Sequence, residues 1–395
     1  MSERKPVEDW ATDWDHLDPQ WTRDPYPIWD ALRRECPIAH TERFEGVYLP
    51  TRHADIKAIA YDTEHFSSRR IMVRDEYADM PLPAPPITSS PPWHKAEKSA
   101  MLPFFTAKEV AKLEPRTREI CNELIDGFIG QGDCDAAQAY TRHIPVRVIA
   151  HLLGVDERDG DRFIEWIHQI LEVGVRSNEA FMQGVTEMSA YFEDEINKRK
   201  IEPRDDLITV MMNARCDGEP WAPDRILGAL RLLLIAGIDT TWSAIGSSLW
   251  HLARHPEDRQ RIIDEPTLVR TAVEELLRAY APVTMAREVA DDTVVSGCPF
   301  KAGQMVLLSF PAANRDPEMF DEPDKVLIDR QPNRHSAFGL GIHRCVGSNL
   351  ARMEMRVAIE EWLRRIPDYE LAGEVTWSEG TVRGPRSLPF SFAQT

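Results

Sequence analysis

A mainly α fold with small β-sheets, in a single domain spanning residues 1–395, is what this sequence predicts. Two observations carry that expectation. From about Pro92 to Leu371 apolar residues recur at helical spacing, as in Val110, Leu113, Ile120 and Leu124, or Val273, Leu276, Leu277 and Tyr280. Strand-like runs cluster instead at 283–310 and 374–393, with Val294-Val295 and Met305-Val306-Leu307-Leu308 near glycines. No repeat, low-complexity tract or linker divides the chain, so its length reads as one large fold.

In chain order, residues 25–66 combine a short helix around Ile28 to Leu32 with strand-like alternation at Gly46 to Leu49. Residues 71–92 are proline-rich and mostly irregular, and a surface loop of that length is usually a lid or a disordered insert. A helix begins near Pro91-Pro92. A longer one runs from about Asp224, after Pro223, to His255-Pro256, roughly 45 Å at 1.5 Å per residue. Its apolar stretch, Leu232 to Trp250, contains Asp239 and five hydroxyl residues, which suits a buried helix better than a membrane span.

Lys and Arg total 47 against 65 Asp and Glu, a net charge of −18, which argues against general nucleic-acid binding. The six cysteines are scattered without a C-x-x-C pair, so neither a zinc site nor a disulfide framework is expected. The first residues lack an apolar secretion core, and a cytoplasmic location is expected.

Chemistry concentrates in Phe338-Gly339-Leu340-Gly341-Ile342-His343-Arg344-Cys345-Val346-Gly347, followed by the helical pattern Leu350, Met353, Val357 and Trp362. Three glycines around one Cys and one His describe a tight loop feeding a helix N-terminus. Backbone N–H groups and the helix dipole there favour a thiolate, a soft ligand suited to iron. A buried structural cysteine is the alternative for any lone Cys. Upstream, Glu275 and Arg278 lie three apart on one helical face, a spacing shared by ordinary exposed ion pairs. In the long helix, Ala236-Gly237-Ile238-Asp239-Thr240-Thr241 sets an acid and two hydroxyls in an apolar run, where they need hydrogen bonds. Back-bonding of threonine to its own helix would also meet that need.

The Cys345 loop resembles the haem-binding loop of the cytochrome P450 family, F-G-x-G-x-H-x-C-x-G, and the resemblance extends from about Pro25 to Phe392. It implies the cytochrome P450 fold and haem b (iron protoporphyrin IX), with Cys345 as iron ligand and Phe338 and Gly347 beside it. The E-x-x-R of Glu275 and Arg278 is similar to the family's buried pair, joined by Arg330, although Val326 stands where the family usually has Phe. Those three are implied to be structural. His94 and Lys98 resemble D-P-P-x-H-x-x-x-R, with Ser90 replacing the Asp and Lys98 the Arg, so Lys98 can act only as a point charge. With Arg287 and His343 they are the implied partners of the haem propionates. The A-G-x-D-T-T segment is similar to the family's distal motif. There Ala236 and Gly237 leave room for O2, and Thr240 and Asp239 deliver protons. The implied substrate pocket comprises the 71–89 loop, Leu232, Ile235, Val283, Thr284, Met285, Thr381 and Val382.

The activity implied is a monooxygenase inserting one atom of O2 into a small hydrophobic substrate, by hydroxylation or O-dealkylation. Electrons would come from an acidic iron–sulfur ferredoxin, itself reduced by a flavoprotein, docking near Arg344 and Arg352. A peroxide-driven haem peroxygenase, a non-catalytic haem sensor and a cofactor-free helical binding module are the alternatives.

Overall fold

The computed structural model describes residues 4–75, 82–216 and 218–393; part of the expected 71–92 lid, residues 76–81, lies outside them. The helix that organises the molecule is Pro223–Arg254. Pro223 sits in its first turn, where a missing N–H costs nothing. The residue before Pro256 is driven out of the α region, and His255 ends the helix at φ −126°, ψ 73°. This helix is long and apolar enough to cross a membrane, but 67% of its most apolar window is buried in the protein. It is a core helix.

Against it pack helices His143–Leu153 and Asn178–Ile201 and the helix that follows the cysteine loop, Ser348–Arg365. Together they enclose the largest apolar cluster, which includes Ile149, Leu234, Ile245 and Trp362. The helical spacing from Val110 to Leu124 conceals a break: one helix ends at Ala111 and the next starts at Glu114, with Pro115 in its first turn.

The largest sheet has five strands in the order Ile38–Thr41, Val47–Pro50, Met305–Ser309, Thr284–Val289 and Phe66–Ser67. One face carries a cluster with Trp14, Trp21 and Trp29, the other a cluster with Ile56, Phe66 and Phe300. The strand Thr284–Val289 carries Arg287, which is buried. The C-terminal segment folds back as strands, with Pro385–Ser387 on Thr376–Trp377 and Pro389–Phe392 between Tyr369–Leu371 and Asp133–Asp135. It thereby brings Val382 beside Val283 in an isolated antiparallel bridge.

Candidate active site

The cysteine loop turns twice through positive φ, at Gly339 (72°) and Gly341 (68°). A Cβ on Gly341 would lie 2.4 Å from the Ala60 carbonyl oxygen, so only glycine fits there. The Cys345 N–H donates to Phe338 O at 2.8 Å, closing the loop. Lys98, from helix Trp93–Met101, donates through Nζ to the carbonyls of Ile342 (2.6 Å) and Arg344 (2.7 Å).

Behind the loop, Glu275 and Arg278 are completely buried. The Glu275 carboxylate accepts from Arg278 Nε and Nη2 (both 2.8 Å), Leu327 N (2.8 Å), Arg330 Nε (3.0 Å) and Asn333 Nδ2 (3.0 Å). Arg278 donates in turn to the carbonyls of Asn314, Pro323 and Lys325. Burial acts to raise the Glu275 carboxyl, yet these donors hold it below its ordinary value. The Asn314 side chain accepts from Ser336 N at 2.6 Å, so the network reaches the start of the loop.

One cavity of about 410 Å³ collects most of the expected residues. His94, Lys98, Leu232, Ile235, Ala236, Gly237, Thr240, Val283, Thr284, Arg287, Phe338, His343, Cys345, Gly347 and Val382 all line it. Asp239 does not. The Cys345 side chain is exposed and lines this cavity. Burial raises its thiol above the ordinary value, against the Gly347 N–H and the charges of Lys98, Arg352 and Arg344.

Three nitrogen groups that line the cavity meet without an acidic partner among the described residues. His94 Nε2 and His343 Nδ1 are buried with no hydrogen-bond partner, their rings edge to face at 4.7 Å. Arg287, 3% exposed, makes one hydrogen bond, to Ala286 O. Burial pushes Arg287 down to about 10, and burial with the Arg287 charge pushes His343 down to about 3. Such a cluster is a site for an anionic group, as the propionates of a haem are, and the donor set fits that cofactor.

Across the cavity, Thr240 Oγ1 donates to Ala236 O at 2.8 Å, the back-bonded geometry, while its side chain still faces the open space. Asp239 turns the other way. It is 1% exposed, its Oδ1 accepts from Arg386 Nη2 at 2.7 Å, and its Oδ2 has no partner. Arg386 also donates to Glu172 (2.5 Å) and Ser243 Oγ (3.1 Å), and Glu172 lies 3.6 Å from the half-exposed His168. Burial raises the Asp239 carboxyl to about 6 despite Arg386.

Sequence reasoning missed Arg386 and Glu172, which no local spacing connects to Asp239. It also missed Glu354, 1% exposed with Oε2 unpartnered and its carboxyl pushed well up by burial. A signal for Glu354 existed, because it lies four after Leu350 and three before Val357 on the apolar face. Arg352 is not a free surface charge. It pairs with Glu274 through Nε (2.6 Å) and Nη2 (2.9 Å) and stacks on Phe338, and His335 Nε2 lies 3.0 Å from the same Glu274.

Residues 162–366 match the family described as Cytochrome P450. Mycinamicin IV hydroxylase/epoxidase from Micromonospora griseorubida is 35% identical, with 87% of this chain and 89% of the relative covered. The chain belongs to the cytochrome P450 family. The vitamin D(3) 25-hydroxylase of Pseudonocardia autotrophica is also 35% identical, over 93% of both chains. Among solved structures, the bacillaene polyketide synthase cytochrome P450 PksS of Bacillus subtilis 168 superposes with a TM-score of 0.87 at 30% identity. That match covers 96% of this chain and all of PksS. This cytochrome P450 is thus an oxidoreductase of the monooxygenase type, using haem, O2, a redox partner and a small-molecule substrate.

Proposed function

We propose that residues 1–395 act as one haem-thiolate domain that hydroxylates or O-dealkylates a small, mainly apolar molecule. The observation that carries this reading is the shared cavity, with Cys345 and Thr240 both facing it and the unpartnered His94, Arg287 and His343 nitrogens lining it. Haem b, when bound, supplies the iron at which dioxygen is reduced and one oxygen atom is transferred. Cys345 would hold that iron through Sγ. His94, Arg287 and His343 would hold the propionates, each charge-assisted hydrogen bond contributing about 1.5–3 kcal/mol. Lys98 is already engaged by the loop carbonyls, so its task is to fasten the loop and to add positive charge near Sγ.

The chain's own residues manage protons and access. Thr240 donates its hydroxyl hydrogen to Ala236 O, which leaves its oxygen lone pairs free to accept from the cavity. Asp239, near half-protonated at pH 6, carries protons from the Arg386–Glu172–His168 side to the Thr240 side by side-chain rotation. Leu232, Ile235, Val283 and Val382 exclude water from the reacting carbon. Relatives named for acting on mycinamicin IV and vitamin D(3) support an organic substrate of that general kind.

Electrons come from an acidic ferredoxin reduced by a flavoprotein. The contact favoured is Arg344, exposed beside Cys345, rather than Arg352, which Glu274 already engages. The deciding experiment is the absorption spectrum of purified protein after reduction and exposure to carbon monoxide. The long-wavelength band of thiolate-ligated haem is expected in the wild type and is lost in Cys345→Ala. An uncoloured protein, or the same band in the variant, overturns the reading.

A further inference from the structure

The cavity differs in charge from the rest of the molecule. The chain carries 65 acidic against 47 Lys and Arg residues, yet among the described residues no aspartate or glutamate lines the cavity. Arg69, Arg70, Arg74, Arg231 and Arg344 do line it, apart from the Arg287 cluster assigned to the cofactor. Two of them have evident local roles. Arg69 is largely exposed and lies 3.7 Å from Glu288, and Arg74 stacks 3.8 Å over Phe181 while donating to Gly174 O.

Arg231, on the central helix, is different. It donates to two neutral acceptors, Ser189 Oγ at 2.8 Å and Pro83 O at 3.3 Å, and makes no ion pair among the described residues. Asp224 and Glu193 influence it only at a distance, and burial lowers its guanidinium from the ordinary value. A guanidinium has five N–H donors in a planar fork matched to a carboxylate, and those two bonds leave three of Arg231's donors for a ligand. A half-buried cation without a counter-ion is costly, and a bound anion would relieve the cost.

We propose that the substrate is an apolar molecule bearing a carboxylate, and that Arg231 pairs with that carboxylate. The proposal rests on reading the cavity as the substrate chamber of a haem monooxygenase. It also sets the regiochemistry. Arg231 precedes Thr240 by nine residues, about 13 Å along the helix axis. Leu232, Ile235 and Val283 line the same chamber with apolar side chains. The carbon oxidised near Thr240 therefore lies toward the opposite end of the molecule from the carboxylate.

The test compares two probes with the same apolar body, dodecanoate and dodecanol, titrated calorimetrically into the haem-loaded protein. Dodecanoate is expected to bind about tenfold tighter or more, the equivalent of one charge-assisted hydrogen bond. Arg231→Gln brings the acid-to-alcohol ratio close to one. Arg231→Lys keeps the charge, loses the fork and retains part of the preference, which gives a second variant if the first does not fold. Equal affinities in the wild type, binding of neither probe, or a ratio unchanged in both variants overturns the proposal. The reduced carbon monoxide band of the same samples tests the haem reading separately, so failure of one is not mistaken for failure of the other.

Discussion

Two buried carboxylates on the two sides of this molecule have opposite fates. Glu275, behind the cysteine loop, accepts from five donor nitrogens and is held below its ordinary pKa. Asp239, beside the distal wall, keeps one oxygen unpartnered and is raised to about 6. Both face arginine at under 3 Å, so the presence of a counter-ion does not separate them. Burial weighs on Asp239 with the acidic Glu172 adding to it, whereas Glu275 has a second arginine, Arg330, at 3.0 Å and more donors. A saturated carboxylate is a permanent anion that fixes its surroundings, whereas an undersaturated one exchanges a proton near neutral pH. On the proposed function, the first would hold the cysteine loop still and the second would be available for chemistry.

The harshest way to break this contrast is Arg278→Ala, which leaves Glu275 buried without its main cation. A loss of about 3–5 kcal/mol in urea unfolding is expected, with faster haem release. A loss under about 1 kcal/mol would mean that the network is not structural.

The second test uses pH. The folded pKa of Asp239, about 6, lies above the ordinary 3.8, so its contribution to stability is fully present below about pH 4 and is lost as pH rises through 6. Glu275 has the opposite sign, its contribution being lost as pH falls. Asp239→Asn should therefore gain stability relative to wild type from pH 4 to pH 7, by on the order of 2–3 kcal/mol. Denaturation curves at several pH values check this, and a difference independent of pH would show that the carboxyl ionises normally.

Thr240→Ala tests the distal side in function. Product formed per reductant oxidised is expected to fall by about tenfold, comparable to the loss of one hydrogen bond in the transition state, while the released peroxide rises. Unchanged coupling would remove Thr240 from proton delivery. The smallest effect belongs to the surface: Arg344→Glu should slow reduction by an acidic ferredoxin a few-fold at low salt, with the difference vanishing as ionic strength rises. Rates identical to wild type across the salt series would place the donor elsewhere.

The same contrast explains what was legible in the sequence. The cysteine loop, the Glu275–Arg278 pair and the central helix are local patterns, readable because residues one to four apart dictate turn, face and cap. Arg330 came only from the resemblance to the family, as the match to its third residue. The Asp239 network was not readable, because Arg386 lies 147 residues away and Glu172 a further 214 from Arg386 in the other direction. Only packing of the C-terminal strand against the central helix joins them. Lys98 was identified as a residue near the haem site, but its hydrogen bonds to the loop carbonyls depend on how two distant segments meet.

The distance between Asp239 and Arg386 has a consequence for synthesis of the chain. The ribosome makes the central helix long before it makes the arginine that covers its acid, and about 147 residues must follow before the pair can form. Throughout that interval the nascent helix carries a bare carboxylate on a surface meant for the interior, which keeps that surface wet. The ion pair that covers Asp239 is thus deferred until the C-terminal strand has emerged, which makes it one of the last contacts of the core that translation can supply.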